Sequence, residues 1–277
     1  MAGPRAAPDR PWGAEALIDH LRGGGPTLVA LSGGVDSAVV AALARAALGP
    51  AAVAATVTGP AVAAAEVERA VRVAAAIGIE HHLIPANPLE RAEYRSNPSN
   101  RCYFCRAVET ERLRAFGDGR RIRSYLDGVQ LDDLGDDRPG LRAMEEAGFA
   151  HPLVVAGWTK ADVRRAARSF GLPNAETPSD ACLASRVAHG DPIDAPLLRR
   201  IEAAESLLLA GGFRRVRVRV HGGGARLEVG PDEVARLLDP RVGEPIRRGV
   251  GALGFDPVTV DPLGYGARPR AVSGTGP

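Results

Sequence analysis

Lysine is all but missing from this chain: Lys160 is the only one, and apart from histidine every other basic side chain is an arginine. Biased codon usage accounts for the arginine excess. Lys160 then marks either a place where a compact ammonium cannot be replaced by a planar guanidinium fork, or chance survival on a solvated surface. Aromatic residues are also scarce, at 4%, against 45% hydrophobic residues in all. The core must therefore be built from Ala, Val, Leu and Ile. Neither sign of charge dominates: the net charge is +2 with 25% charged residues, which argues against a protein whose main role is gripping nucleic acid. Met1 to Trp12 carries proline and charge but no apolar h-region, so no secretory signal is expected. The apolar-rich stretch from Leu28 to Val57 is interrupted by Gly33, Gly34, Asp36, Arg45 and Pro50 and reads as buried core, not a membrane span. The expected location is the cytoplasm.

What is present begins with Ser32-Gly33-Gly34-Val35-Asp36-Ser37. It follows the apolar run Thr27–Leu31 and precedes an Ala/Val/Leu-rich helical stretch. A strand, a glycine turn and a helix start form a cradle for phosphate. Glycines let backbone N–H groups approach an anion, the helix N-terminus adds its positive dipole end, and the serines supply hydroxyls that can cap the helix. The lysine of a Walker loop does not follow. The hexapeptide resembles the PP-loop of the ATP pyrophosphatase superfamily, which cleaves ATP to AMP and pyrophosphate while adenylating a substrate.

The pattern along the chain alternates. Strands are expected near 27–31, 51–58, 81–85, 122–129 and 150–155, and helices at 36–48, 62–77, 102–116, 139–147 and 159–170. Such alternation implies a parallel sheet with helices on both faces, binding ligands at the carboxyl ends of its strands. After an irregular stretch, 173–195, the grammar changes: a helix at 196–210, a hairpin of 214–220 and 225–229 around His221–Gly224, helices at 231–238 and 244–252, and a strand at 257–260. The expected fold is α/β: a PP-loop domain over 12–191 and a smaller α+β domain over 192–265, with flexible tails at 1–11 and 266–277.

The chain has three cysteines, Cys102, Cys105 and Cys182. Cys102-Tyr103-Phe104-Cys105 is a C-x-x-C pair at a helix start, where the dipole and the flanking Arg101 and Arg106 lower thiol pKa values. Several readings stay open: buried structural thiols, a zinc site completed by His151, His189 or His221, a dithiol redox pair, or Cys182 as a lone nucleophile. The preferred one is a [4Fe–4S] cluster on three thiolates. It is one ligand short of the usual four, and so leaves an iron open for substrate or sulfide.

Around Cys182 runs Pro178-Ser179-Asp180-Ala181-Cys182-Leu183-Ala184-Ser185-Arg186. With Ser32–Ser37, Asp127-Gly128, Asp132-Asp133-Leu134, Arg138-Pro139-Gly140, Thr159-Lys160 and Arg217–Gly222, it makes the chain resemble the LarE family over residues 12 to 265. These are ATP-dependent sulfur transferases of nickel-pincer cofactor synthesis, with an adenine nucleotide α-hydrolase-like PP-loop domain. The resemblance implies that ATP adenylates a carboxylate of a pyridinium dicarboxylate mononucleotide and that sulfur then displaces AMP. It implies ATP phosphates on Ser32, Gly33, Gly34, Asp36 and Ser37, with Mg²⁺ or loop order served by Asp36, Asp127 and Asp132. A cluster on Cys102, Cys105 and Cys182, and a homo-oligomer of hexameric type, are implied too. Val129-Gln130 departs from the Thr-Asn expected after Asp127-Gly128. Arg186 and Lys160 are candidates for neutralising the α-phosphate. Arg217 and Arg219, on a strand whose Val216, Val218 and Val220 face the other way, are candidates for the substrate phosphate. Glu205 and Glu228 are candidate metal ligands, against the plainer alternative of surface carboxylates. A tRNA-thiolating PP-loop enzyme and a zinc-stabilised nucleotide-binding module are the competing functions.

Overall fold

The computed structural model describes residues 11–135, 138–178 and 181–266. The chain divides into two compact units, Met1–Ala181 and Cys182–Pro277. The division falls before the 191/192 boundary drawn from sequence and places Cys182 at the head of the second unit. Residues 1–10 and 267–277, expected to be tails, lie outside the described residues.

The first unit contains α1 (Ala14–Leu21), β1 (Thr27–Ala30), α2 (Val35–Leu48), β2 (Ala52–Thr58), α3 (Ala64–Ile77), β3 (Glu80–Pro85) and the single turn α4 (Ala92–Arg95). It continues through α5 (Arg101–Asp118), β4 (Ser124–Leu126), α6 (Pro139–Glu146), the single turn α7 (Pro152–Val155) and α8 (Lys160–Ser169). The four strands form one parallel sheet in the order β3-β2-β1-β4. The chain thus leaves β1 on one side to build β2 and β3, then crosses to the other side for β4. The carboxyl ends of β1 and β4 flank the point where the winding reverses, the place such sheets bind ligands. α2 is buried on nearly every side, from Val35 and Ser37 through Ala44, as a mostly apolar helix inside an α/β layer must be.

One expectation fails locally, and one helix was not foreseen. Residues 150–155 do not form a strand: Ala150 makes an isolated parallel bridge to Leu126, and Pro152 then starts the helical turn α7. A proline at the first helical position has its φ already set for helix and lacks only an N–H that would be unpaired there anyway, so it wins over the apolar run. α1 was not anticipated. It buries Leu17 and Leu21 in the core, and its start is pinned by Trp12, whose N–H bonds Ala156 O at 2.8 Å and whose carbonyl accepts Trp158 Nε1 at 2.7 Å.

The second unit holds α9 (Ala195–Ala210), β5 (Val216–His221), β6 (Gly224–Val229), α10 (Val234–Leu238), α11 (Pro240–Ala252) and β7 (Val258–Val260). β5 and β6 form the expected antiparallel hairpin, and β7 pairs parallel to β6. Val216, Val218, Val220 and Leu227 are buried, as are Leu198, Ile201 and Leu208 of α9, which packs on β5. No helix among the described residues is long and apolar enough to cross a membrane.

Candidate active site

The loop Ser32–Gly34 closes on itself through its two hydroxyls. Ser32 N donates to Ser37 Oγ at 3.1 Å, the two Oγ atoms are 3.1 Å apart, and Ser37 Oγ donates to Gly34 O at 3.2 Å. The serines therefore tie the turn together instead of capping the helix. The N-cap is Gly34, which makes no side-chain cap, so the N–H groups of the first turn of α2 keep their orientation toward an outside anion. Gly33 has φ +81°, and a Cβ there would stand 2.9 Å from Glu66 O and 3.0 Å from Ala70 N of α3. Only glycine fits this turn.

Gly128, beyond β4, lies directly against the start of α2: a Cβ on it would come within 2.5 Å of Ser37 N. That contact brings Asp127 and the following loop to the mouth of the phosphate cradle. Asp127 is buried, and its Oδ1 accepts Val129 N at 3.1 Å and pairs with His151 Nδ1 at 2.7 Å. Its Oδ2 is buried without a hydrogen-bond partner. Burial opposes charge on His151, but the hydrogen bond to Asp127 and the charges of Asp127 and Glu145 outweigh it and hold the imidazole above the usual histidine range. Gln130, one of the departures from the expected motif, is buried and caps the short helical turn Leu131–Asp133 through Oε1, which accepts Asp132 N at 2.8 Å.

Lys160 spans this group. Its Nζ donates to both oxygens of Asp36, at 2.7 and 2.6 Å, and its backbone N–H donates to Asp132 Oδ2 at 2.9 Å. α8 starts at Lys160 because Thr159 caps it in a reciprocal box with Asp162. Both Lys160 and Asp36 remain about a quarter exposed (27% and 25%). They line a cleft of about 750 Å³ together with Ser32, Ser37, Asp127 and Asp132.

Cys102 lines the same cleft, with Arg106 one helical turn further along α5. Arg106 pairs with Glu109 at 2.5 Å, and the thiol of Cys105 lies 3.3 Å from the other oxygen of that carboxylate. The two thiols thus differ in setting: Cys102 is exposed and Cys105 half-buried. Among the described residues no group of three or more His, Cys, Asp or Glu side chains is gathered tightly enough to hold a metal. His151 and His221, candidates for a zinc ligand, face Asp127 and Asp191 respectively.

In the second unit, charge is matched internally. Arg186, 4% exposed in its side chain, places Nε and Nη2 on the two oxygens of Glu205 at 2.9 and 3.0 Å, and Nη1 on Cys182 O at 3.0 Å. Glu205 Oε1 also accepts Val218 N at 3.0 Å. Arg219 donates to Glu228 Oε2 at 3.1 Å and to Ser185 O at 3.0 Å, and Arg226 donates to Glu228 Oε1 at 3.1 Å. Arg217 is buried over the Tyr265 ring, 4.8 Å from its centroid, and donates to Val216 O at 2.7 Å. Glu205 thus answers Arg186, and Glu228 answers Arg219 and Arg226.

Known proteins place this arrangement. The Asparagine synthase family matches residues 14–98, the segment holding the phosphate cradle. The pyridinium-3,5-bisthiocarboxylic acid mononucleotide synthase of Lactiplantibacillus plantarum is 32% identical over 239 residues, covering 86% of each chain. The chain belongs to the LarE family. An uncharacterized protein of Synechocystis is 38% identical over 239 residues, 86% of this chain and 89% of that one. A second uncharacterized protein, from Methanocaldococcus jannaschii, is 28% identical over 145 residues, 52% of this chain and 56% of its own.

For this LarE-family chain, the first unit brings Ser32, Asp36, Ser37, Asp127, Asp132, Lys160 and Cys102 to one cleft. Arg186, expected at the α-phosphate, is instead a buried partner of Glu205 and Cys182 O. A metal at Glu205 or Glu228 would have to displace an arginine. Arg138 of the family motif also lines the cleft and pairs with Asp133 at 2.5 Å. Asp136 lies outside the described residues. Sequence reasoning had no means of finding the Asp127–His151 pair, because its members are 24 positions apart with no shared pattern.

Proposed function

We propose that this protein adenylates a carboxylate of pyridinium-3,5-dicarboxylate mononucleotide with ATP and replaces the AMP with sulfur, yielding a thiocarboxylate. The observation that carries the reading is the cleft itself. It holds an ATP-type phosphate cradle, a lysine clamped on Asp36 and a cysteine in one cavity, in a chain whose family uses ATP and includes a named pyridinium bisthiocarboxylate mononucleotide synthase. In the first step a carboxylate oxygen of the substrate bonds to the α-phosphorus and the Pα–O bond to the β-phosphate breaks, pyrophosphate leaving with the electron pair. The cradle N–H groups and Lys160 offset the negative charge that builds there. Asp127 would offer Mg²⁺ an oxygen, while Asp36 and Asp132, both bonded by Lys160, order the loop around it. The partnerless buried Oδ2 of Asp127 fits that cation, which needs few carboxylates once phosphate oxygens and water complete its shell. In the second step a sulfur nucleophile bonds to the acyl carbon and AMP departs with the electrons of the broken C–O bond.

The sulfur source in this reading is a [4Fe–4S] cluster on Cys102, Cys105 and Cys182. Three soft thiolates would leave one iron free to bind sulfide, and that is the chemistry the cluster would supply; among the described residues the three thiols are not gathered as a metal-binding group. Cys182, whose carbonyl Arg186 holds, is the thiol at the motif the family shares. Arg217 and Arg219 are assigned to the substrate phosphate, Arg219 in competition with Glu228. A cytoplasmic homo-oligomer is part of the same proposal. Incubation with ATP, Mg²⁺ and the mononucleotide should release AMP and pyrophosphate and form thiocarboxylate. Pyrophosphate release with tRNA and none with the mononucleotide would overturn the substrate assignment. Anaerobic protein should carry about four irons with acid-labile sulfide; stoichiometric zinc without sulfide would remove the cluster.

A further inference from the structure

The Gly33 carbonyl is held from behind by two side chains outside the loop. Asn174 Nδ2 donates to it at 2.9 Å and Arg69 Nε at 3.2 Å. These donors come from distant parts of the first unit: Arg69 from the middle of α3, Asn174 from the irregular segment after α8. Asn174 is 2% exposed, and its Oδ1 is buried without a hydrogen-bond partner. The amide orientation follows from chemistry, because the flipped amide would press oxygen against the Gly33 oxygen. A buried amide left with an unused acceptor is costly to keep, so its donor is the group the fold retains.

The consequence lies on the other side of the same peptide. In a trans peptide the C=O and the next N–H point in opposite directions. With Gly33 O fixed toward Asn174 and Arg69, the N–H of Gly34 is fixed toward Ser32 Oγ, which it meets at a loose 3.3 Å and which lines the cleft. Gly33 itself cannot resist rotation: at φ +81° it has no side chain, and glycine crosses between backbone regions readily. The loop therefore needs an outside hold on this peptide, and two hydrogen bonds to one carbonyl supply it.

We propose that Asn174 and Arg69 are positioning residues that lock the Gly33–Gly34 peptide with its N–H toward Ser32 Oγ at the cleft wall, so that the cradle for the nucleotide phosphates is set before ATP arrives. This rests on the reading of the loop as the ATP site, and the test separates the two. Calorimetry on the whole protein with Mg²⁺ and α,β-methylene-ATP, which cannot be cleaved at the scissile position, reads binding without any sulfur chemistry. Adenosine, which has no phosphates, is titrated alongside.

Asn174→Ala should weaken the triphosphate about tenfold, the scale of a hydrogen bond to a charged group, and leave adenosine within about twofold. Asn174→Asp, which sets a carboxylate against the carbonyl, should weaken it further. Arg69→Ala should repeat the first pattern in a variant whose buried core is untouched. Unchanged triphosphate affinity in both Asn174→Ala and Arg69→Ala overturns the lock. An equal loss for adenosine also overturns it, since that marks a general collapse of the pocket. Failure of the unaltered protein to bind the analogue overturns the ATP reading and the lock with it. Binding with the split preserved, but no thiocarboxylate formed, leaves the lock standing and removes only the sulfur-transfer reading.

Discussion

The two units use the same ingredients, carboxylates facing basic side chains, to opposite ends. In the cleft of the first unit, Lys160 and Asp36 pair while a quarter exposed, beside about 750 Å³ of open space and a buried carboxylate oxygen with no partner. In the second unit, Arg186 and Glu205 pair at 4% and 11% exposure, and both oxygens of Glu205 and of Glu228 are taken by arginines. Water and open space keep the first pair exchangeable, so a phosphate or a metal ion can enter. Burial makes the second pair expensive to break. A charge pair's surroundings, not its residue types, decide whether it serves as a ligand site or as a structural pin.

The contrast can be broken by measuring stability and turnover on the same variants. The largest stability loss is expected for Glu205→Gln, which strands Arg186 without its countercharge: about 3–5 kcal/mol in denaturant unfolding. A loss under about 1 kcal/mol would mean that the pair is an open site after all. Gly128→Ala comes next, at about 1–3 kcal/mol for overpacking against the start of α2. ATP-dependent pyrophosphate release should fall about 100-fold as the cradle shifts; wild-type rates would show that the close contact does not shape the site.

Thr159→Ala removes one half of the box that starts α8 and should cost about 1 kcal/mol. It also carries a pH signature. The Thr159 hydroxyl, and then its backbone N–H, hold the Asp162 carboxyl below its usual range. The stability from that depressed value is present above the ordinary aspartate pKa of about 3.9 and is lost as pH falls through the folded value. The variant's deficit should therefore shrink in acid, and a deficit constant down to pH 2 would rule this origin out. Asp36→Asn should change stability least, by about 1 kcal/mol or under for a partly exposed pair, yet cut turnover by about 100-fold. If it instead destabilises the folded protein as strongly as Glu205→Gln while sparing turnover, the two units do not differ in the way described.

Much of this was legible in the chain. The parallel sheet followed from the alternation of strand and helix patterns, and the phosphate cradle from six contiguous residues at a strand end. The hairpin followed from the alternation of Val216 to Val220 about the glycines. Lys160 stood out by rarity and proved to sit on Asp36, 124 positions away. What escaped was of two kinds. α1 and the helical turn α7 were missed because short elements take their conformation from packing and from a single proline. The partners of Arg186, Glu205 and Glu228 were missed because charge in a sequence looks the same whether it will meet solvent, a ligand or another side chain.

The sequence by itself determined the local chemistry: which segments can be strands, where a glycine turn meets a helix start, and that the family's motifs stand in order along most of the chain. Those depend on neighbours in the chain, through backbone preference and side-chain period. Only the tertiary structure decided that Gly128 abuts Ser37, that Asn174 and Arg69 converge on one carbonyl, and that Arg186 is buried against Glu205. Close approach and burial arise when the chain folds back on itself, and they set the cost of every charge and the direction of every N–H in the site.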